Sequence, residues 1–235
     1  MSRLWSNDPQ KNSYLNGVIS LLERSQREQQ EIYEINILGN KFDVFPNVFP
    51  PSYFRDTEFF VSNMPDVTGC HVLEVGCGTG VTAVMFALNG ADQVTAVDIN
   101  DEAIKNTIHN IKKHQVEKKV SCFYSDVYSE VNSEEKFDVI YWNIPFGKVN
   151  ADLSVLERSV FDKGYAAVKR FFCEGNNYLS PNGKMLYGFS PIIGDEVALS
   201  EILQQANMNS HIIAELSVEL KEYPIIFHLC QASAL

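Results

Sequence analysis

Long apolar runs are missing from this 235-residue chain. None approaches the ~20 consecutive residues that a bilayer-spanning helix needs. The opening residues, Met1-Ser2-Arg3-Leu4-Trp5-Ser6-Asn7-Asp8, hold no apolar signal core, so a cytoplasmic location is expected. Cysteine is sparse and scattered. Cys70, Cys77, Cys122, Cys173 and Cys230 form no C-x-x-C pair, which argues against a disulfide framework and for reduced, mostly buried thiols. The five histidines make no metal-ligand spacing with one another or with cysteine, and no metal is expected. Positive charge is also short. The 19 Lys and Arg against 30 Asp and Glu leave a formal net charge of −11, which works against a long electrostatic grip on nucleic acid. The run Lys112, Lys113, Lys118 and Lys119 reads as a solvated helix end. Repeats and low-complexity segments are absent.

What is present fits one sizeable globular domain with a small appendage: 45% hydrophobic and 21% charged residues. Residues 12 to 31 read as a helix, with Leu15, Val18, Ile19 and Leu22 at helical spacing. Tyr33 to Leu38 and Lys41 to Phe45 alternate around Gly39-Asn40, a hairpin signal. Residues 1–54 are therefore expected to form an appendage that packs over the sheet or partly covers a substrate. Residues 55–235 form the main domain. The proline-interrupted stretch Phe45 to Thr57 reads as an ordered loop, with Asp56 or Thr57 capping a helix near Glu58.

The chain is organised around His71-Val72-Leu73-Glu74-Val75-Gly76-Cys77-Gly78-Thr79-Gly80. A buried strand runs into a glycine loop, and Val81 to Leu88 follows as a helix. Strand–helix alternation then continues. Gln93 to Asp98 is a strand, Asp101 to Lys113 a helix, and Val120 to Asp126 and Phe137 to Trp142 are strands. A helix is expected from Ser154 to Cys173, a turn at Pro181-Asn182-Gly183 and a strand from Lys184 to Phe189. Asp195 to Gln205 reads as a helix. Two antiparallel closing strands, His211 to Leu220 and Pro224 to Ala232, are joined through Lys221-Glu222-Tyr223. The expected fold is α/β: a doubly wound, seven-stranded, mostly parallel sheet.

Four of these strands end on a polar residue: Glu74, Asp98, Asp126 and Asn143. In an open parallel sheet such ends face one crevice. The loop is G-x-G-x-G, preceded by an acid that would repel a pyrophosphate and favour an ammonium or sulfonium group. Asp98, 22 positions beyond Gly76, suits ribose hydroxyls, and Asp126 suits an exocyclic adenine amine. A cationic adenosine derivative fits better than a nicotinamide dinucleotide.

Glu74-x-Gly76-x-Gly78-x-Gly80, Asp98, Asp126 and Asn143-Ile144-Pro145-Phe146 resemble the motifs of class I (Rossmann-like) S-adenosylmethionine-dependent methyltransferases. More narrowly, the set is similar to the release-factor glutamine methyltransferase family, which carries Asn-Pro-Pro-Tyr or Asn-Pro-Pro-Phe after the fourth strand. The segments Asp56-Thr57 and Phe161-Asp162-Lys163-Gly164-Tyr165 resemble the same group. The resemblance implies S-adenosyl-L-methionine as cofactor, bound by Asp56, Thr57, Glu74, Gly76, Gly78, Gly80, Asp98, Ile99, Asp126, Val127 and Asn143. It implies catalytic roles for Asn143 to Phe146. Asn143 and the Ile144 carbonyl would accept hydrogen bonds from the acceptor nitrogen, and Pro145 would shape the loop. Phe146 would pack on the planar group. Ile144 departs from the family's proline. Pro145 still biases it toward extended geometry, while the lost ring is expected to change the pocket wall.

The methyl acceptor is thus expected to be a protein glutamine, with a small-metabolite amine or thioether as the alternative. RNA methylation is disfavoured by the charge and by the lack of a separate RNA-binding module. A non-catalytic cofactor-binding subunit is the reading from another class. Oligomeric state is not encoded legibly.

Overall fold

The computed structural model describes residues 5, 8–54, 56–219 and 224–235. Helix α1 (Pro9–Glu28) opens the chain, and strands β1 (Tyr33–Ile37) and β2 (Asn40–Val44) form the hairpin. After α2 (Asp56–Ser62) come β3 (His71–Val75), α3 (Val81–Leu88), β4 (Gln93–Asp98), α4 (Asp101–Lys113), β5 (Val120–Tyr124) and β6 (Phe137–Asn143). The second half contains β7 (Gly147–Val149), β8 (Phe161–Lys163), α5 (Ala166–Gly175), β9 (Leu179–Phe189), α6 (Glu196–Gln205), β10 (Met208–Val218) and β11 (Ile225–Ala234).

Seven strands make one sheet in the order β10-β11-β9-β6-β3-β4-β5. Neighbours from β9 to β5 pair in parallel, and β11 pairs antiparallel with both β9 and β10. The chain winds outward from β3 through β4 to β5, then crosses back to place β6 on the other side of β3. That reversal opens a crevice beyond the carboxyl ends of β3 and β6, the site such sheets offer to ligands.

Alternate residues of the central strands feed two cores, as a strand's two-residue period requires. Val72, Ala96, Val139 and Tyr141 pack with α3, α4 and the hairpin's Ile37 and Phe42 on one face. Leu73, Val97, Ile140 and Trp142 pack with Phe171 and Phe172 of α5 and Leu199 and Ile202 of α6 on the other. A third cluster joins Leu15, Val18, Ile19 and Leu22 of α1 to Val149, Leu156, Phe161 and Ile193.

Helix α1 begins at Pro9, earlier than the hydrophobic spacing indicates. The Asp8 carboxylate caps Gln10 and Lys11, and proline at the first helical position sacrifices no hydrogen bond. The Ser154–Cys173 helix is not formed. Glu157–Ser159 is a single 3-10 turn, Phe161–Lys163 is a strand paired in parallel with β7, and the helix starts only at Ala166. Two consecutive left-handed residues, Gly164 (φ 65°) and Tyr165 (φ 58°), break the path. The Asp162 carboxylate accepts the Val168 N–H at 2.9 Å and so starts α5 afresh. Pro181-Asn182-Gly183 is not a free turn but an excursion inside β9. There the register with β6 passes from Phe137↔Leu179 to Val139↔Lys184. Strand β5 ends at Tyr124, leaving Asp126 in the following turn, and β10 begins at Met208. The connection at Lys221-Glu222-Tyr223 lies outside the described residues. No helix among the described residues is long and apolar enough to cross a membrane.

Helix α4 ties the hairpin to the glycine loop through side chains absent from the sequence reading. Asn106, Thr107 and Asn110 are fully buried. The Asn106 Oδ1 accepts the Phe45 N–H at 2.8 Å and its Nδ2 donates to the Asp43 carbonyl at 2.7 Å. Asn110 accepts the Asp43 N–H at 3.0 Å and donates to the carbonyls of Asp43 and Thr79, both at 2.8 Å. Asn110→Ala should therefore leave several buried backbone groups unpaired. A loss of roughly 2–4 kcal/mol of stability is expected, read by urea unfolding. A change below about 0.5 kcal/mol would show that water replaces the amide freely.

Candidate active site

The crevice at the β3/β6 crossing is a cavity of about 630 Å³. Thr57, Glu74, Gly76, Gly78, Asp98, Ile99, Asp126, Val127, Asn143 and Pro145 all line it. Asp56, Gly80, Ile144 and Phe146 do not.

The glycine loop is fixed by its own backbone. The Cys77 N–H donates to the Val97 carbonyl at 3.0 Å, and the Gly78 N–H donates to Asp98 Oδ2 at 2.9 Å. Thr107 returns a hydrogen bond to the Gly78 carbonyl at 3.1 Å. Gly76 has φ 66°, and a Cβ there would fall 2.4 Å from Trp142 Nε1, so both conformation and space demand glycine. A Cβ on Gly80 would fall 2.9 Å from the Thr107 backbone, so this third glycine serves the packing of the loop on α4.

Glu74 is only 3% exposed. Burial pushes its carboxyl well above the ordinary glutamate range, opposed by hydrogen bonds from the Thr82 side chain and the Ala83 N–H. Its Oε2 has no hydrogen-bond partner among the described residues. A buried, under-satisfied carboxyl at the mouth of a glycine loop is costly unless a ligand completes it. Burial also raises Asp98, against the opposing N–H groups of Gly78, Asn100 and Ile99. Asp98 Oδ1 accepts the Asn100 N–H at 2.8 Å.

Asp126 carries an ion pair with Arg170 of α5, 3.2 Å between Oδ1 and Nη1. Arg170 Nη2 also donates to the Asp126 carbonyl at 2.9 Å. Val127 is buried with φ 57°, rare for a β-branched residue, and so holds the turn in a strained shape beside the cavity.

At the other end of the cavity, Asn143 Nδ2 donates to Asp56 Oδ2 at 3.1 Å, and Asn143 Oδ1 is buried without a partner among the described residues. Asp56, at 3% exposure in the first turn of α2, stands behind Asn143 and not on the cavity wall. Burial raises its carboxyl above the aspartate range, opposed chiefly by the Asn143 bond. Ile144 does not alter the pocket wall as expected. Its side chain points into the core and is 1% exposed. Phe146 is half-buried in an aromatic cluster, its ring centroid 6.5 Å from Phe60 and 6.0 Å from Phe227. The Phe146 carbonyl accepts the Tyr165 hydroxyl, which in turn accepts the Asp195 N–H at 3.0 Å. This chain of bonds ties the Asn143–Phe146 loop to α6.

Arg170, Trp142, Tyr141 and the wall from Asp152 to Ser159 also face the cavity without a role in the sequence reading, and Phe161, Asp162 and Lys163, marked there only by the family resemblance, line it too. Most of this wall falls inside the helix expected from Ser154 to Cys173, where Gly164 is the signal against a helix.

Residues 42–212 match the family model described as Methyltransferase small domain. A protein of Methanocaldococcus jannaschii named "Putative protein N5-glutamine methyltransferase" is 32% identical over 82% of this chain and 96% of its own length. The Ribosomal RNA small subunit methyltransferase C of Aliivibrio fischeri is 31% identical over 79% of this chain, which spans about half (52%) of that protein. Among solved structures, the T. thermophilus 16S rRNA N2 G1207 methyltransferase in complex with AdoMet and guanosine superposes with a TM-score of 0.54. It covers 84% of this chain and 50% of its own, at 22% identity, and shares the fold.

The room for the Asn143 amide comes from Gly188 on β9. A Cβ there would lie 2.3 Å from Asn143 Oδ1 and 2.7 Å from the Phe60 ring. Gly188→Ala should cost about 1–3 kcal/mol in thermal or urea unfolding. A crystal structure of the variant should show the amide displaced; an unmoved amide would contradict the packing argument.

Proposed function

We propose, for a chain that belongs to the methyltransferase small domain family, that it transfers the methyl group of S-adenosyl-L-methionine to a planar nitrogen. A protein glutamine side-chain amide is the favoured acceptor. The observation that carries this reading is that Asn143, whose buried Oδ1 has no partner among the described residues, lines the same cavity as Glu74, Asp98 and Asp126. The near full-length similarity to the glutamine-methyltransferase relative supports the choice of acceptor.

The residues fit the cofactor. Glu74 holds an unsatisfied buried carboxyl oxygen where a cationic methionyl group would complete it. Asp98, beside Ile99, offers acceptors for ribose hydroxyls. Asp126 and the Val127 backbone border the space for an adenine edge. Gly76 and Gly78 let the backbone approach closely. The cofactor supplies an electrophilic methyl group on a sulfonium.

Methyl transfer is an in-line displacement, so the protein's task is position and alignment. An amide nitrogen is a weak nucleophile because its lone pair is delocalised. Asn143 Oδ1 accepts one of its N–H bonds, orients it and stabilises positive charge developing there. The Ile144 carbonyl is the proposed second acceptor, and Pro145 on the cavity wall keeps that peptide extended. The appendage braces the site through α1, which backs the Leu156–Phe161 wall, and through the hairpin, which buttresses α4.

A second reading, a nitrogen on a nucleic-acid base, draws on the ribosomal RNA methyltransferase relative. The net charge of −11 opposes it. Incubating the protein and methyl-labelled S-adenosylmethionine with a cell extract separates the two. Label in the protein fraction supports glutamine, and label in RNA overturns it.

Asn143→Ala should lower kcat roughly 100-fold while leaving cofactor affinity nearly unchanged. Unaltered turnover would remove Asn143 from the chemistry. Asp98→Ala should instead weaken cofactor binding roughly 10- to 100-fold by calorimetry. The raised Glu74 carboxyl leads to one more expectation. A bound cation lowers its pKa, so S-adenosylmethionine binding should release protons, seen as a binding heat that differs between buffers of unlike ionisation enthalpy. Identical heats would argue against Glu74 facing the cation.

A further inference from the structure

Asn143 is useful as an acceptor only if its amide has one of its two orientations. With Oδ1 toward the cavity it receives an N–H; turned over, it presents a second donor to the substrate's own N–H groups, and the contact becomes repulsive. Nothing in the β6 backbone chooses between the two. Among the described residues, the one hydrogen-bond partner of the amide is Asp56 Oδ2, at 3.1 Å from Nδ2. The bond from Asn143 favours the ionised carboxylate against the cost of burial, and an ionised carboxylate has acceptors only, so it holds the amide nitrogen and repels the amide oxygen. Gly188 leaves the amide room on the neighbouring strand, and Phe60 from α2 closes that side. Asp56 is itself buried, one turn ahead of Phe60, with its other oxygen unpartnered. Besides the backbone N–H groups of Asp56 and Thr57 in the first turn of α2, the bond to Asn143 is what offsets that costly placement.

We propose that Asp56 is a positioning residue for methyl transfer: its carboxylate fixes the Asn143 amide so that Oδ1 faces the acceptor nitrogen. This rests on the reading that Asn143 holds the acceptor. Asp56 touches neither substrate nor cofactor and acts through Asn143 alone. The same logic separates two nearly isosteric variants. In Asp56→Asn, the introduced amide can either accept from or donate to Asn143, so the orientation is no longer dictated. In Asp56→Asn combined with Asn143→Asp, the amide introduced at position 56 donates to an acceptor-only carboxylate at position 143. An oxygen acceptor again faces the cavity.

The test measures methyl transfer from labelled S-adenosylmethionine into the protein fraction of cells lacking this enzyme, with binding of S-adenosylhomocysteine as the check on folding and the cofactor site. Asp56→Asn should bind S-adenosylhomocysteine as the natural protein does and lose about 10- to 100-fold in kcat, with KM for the methyl-accepting fraction changed little. The double variant should recover at least about tenfold of that loss. Asn143→Ala run alongside distinguishes the two ideas. If Asn143→Ala keeps its turnover, or the natural protein labels nothing in the fraction, the proposed function fails and the role of Asp56 falls with it. If Asn143→Ala collapses while Asp56→Asn retains full kcat, the function stands and the positioning role is overturned. A loss in Asp56→Asn that the double variant does not restore, or that comes with lost S-adenosylhomocysteine binding, would assign Asp56 to the fold and overturn the proposal as well.

Discussion

The structure depends on a short polar seam buried along α4. A glycine loop turning tightly at the end of a parallel strand exposes carbonyls that cannot pair within the sheet, and burying them unpaired would cost more than the loop could return. Thr107 and Asn110 meet the carbonyls of Gly78 and Thr79, while Asn106 and Asn110 also hold the backbone of Asp43 and Phe45. One helix face therefore sets the shape of the loop and anchors the N-terminal hairpin. The close approach of Gly80 to Thr107 lets that face come near enough to do so.

A second tension runs through the cavity. Glu74 and Asp56 are carboxyls at 3% exposure, and burial shifts both toward their neutral forms. Neither is compensated by a buried cation among the described residues; Arg170 at the cavity is engaged by Asp126 and Glu174. Burying acids without cations destabilises the free protein, and such perturbed carboxyls cluster at functional sites. Asn143 Oδ1, Asp56 Oδ1 and Glu74 Oε2 are buried polar atoms without partners, and all belong to the two strand ends at the crossing or to the helix behind them.

The stretch from His71 to Lys113 was legible almost residue by residue. Its strands are short apolar runs, its helices carry capping residues such as Asn100, and its glycines sit where positive φ is needed. Legibility failed between Gly147 and Tyr165. There the chain forms two three-residue strands that pair only with each other, and Phe161 is buried by contact with α1 from the far N-terminus. Spacing within a window cannot register a partner so far away along the chain. Ile144 failed for a related reason. The pattern located the loop, but whether the side chain faced cavity or core depended on what packed above it.

The sequence by itself determined most of the alternation of strands and helices, the glycine loop, and the polar residues at or near the ends of the parallel strands, because these rest on local periodicity and backbone preference. Those same features located the resemblance to methyltransferases, and the family match agrees with it. Tertiary structure alone decided which polar groups meet. It brought Asp56 behind Asn143, Arg170 onto Asp126, Tyr165 under the Phe146 carbonyl and Gly188 beside the amide it accommodates. The reason is that orientation and pairing are set by contacts between distant segments, and a chain's own spacing holds no record of them until the sheet has closed.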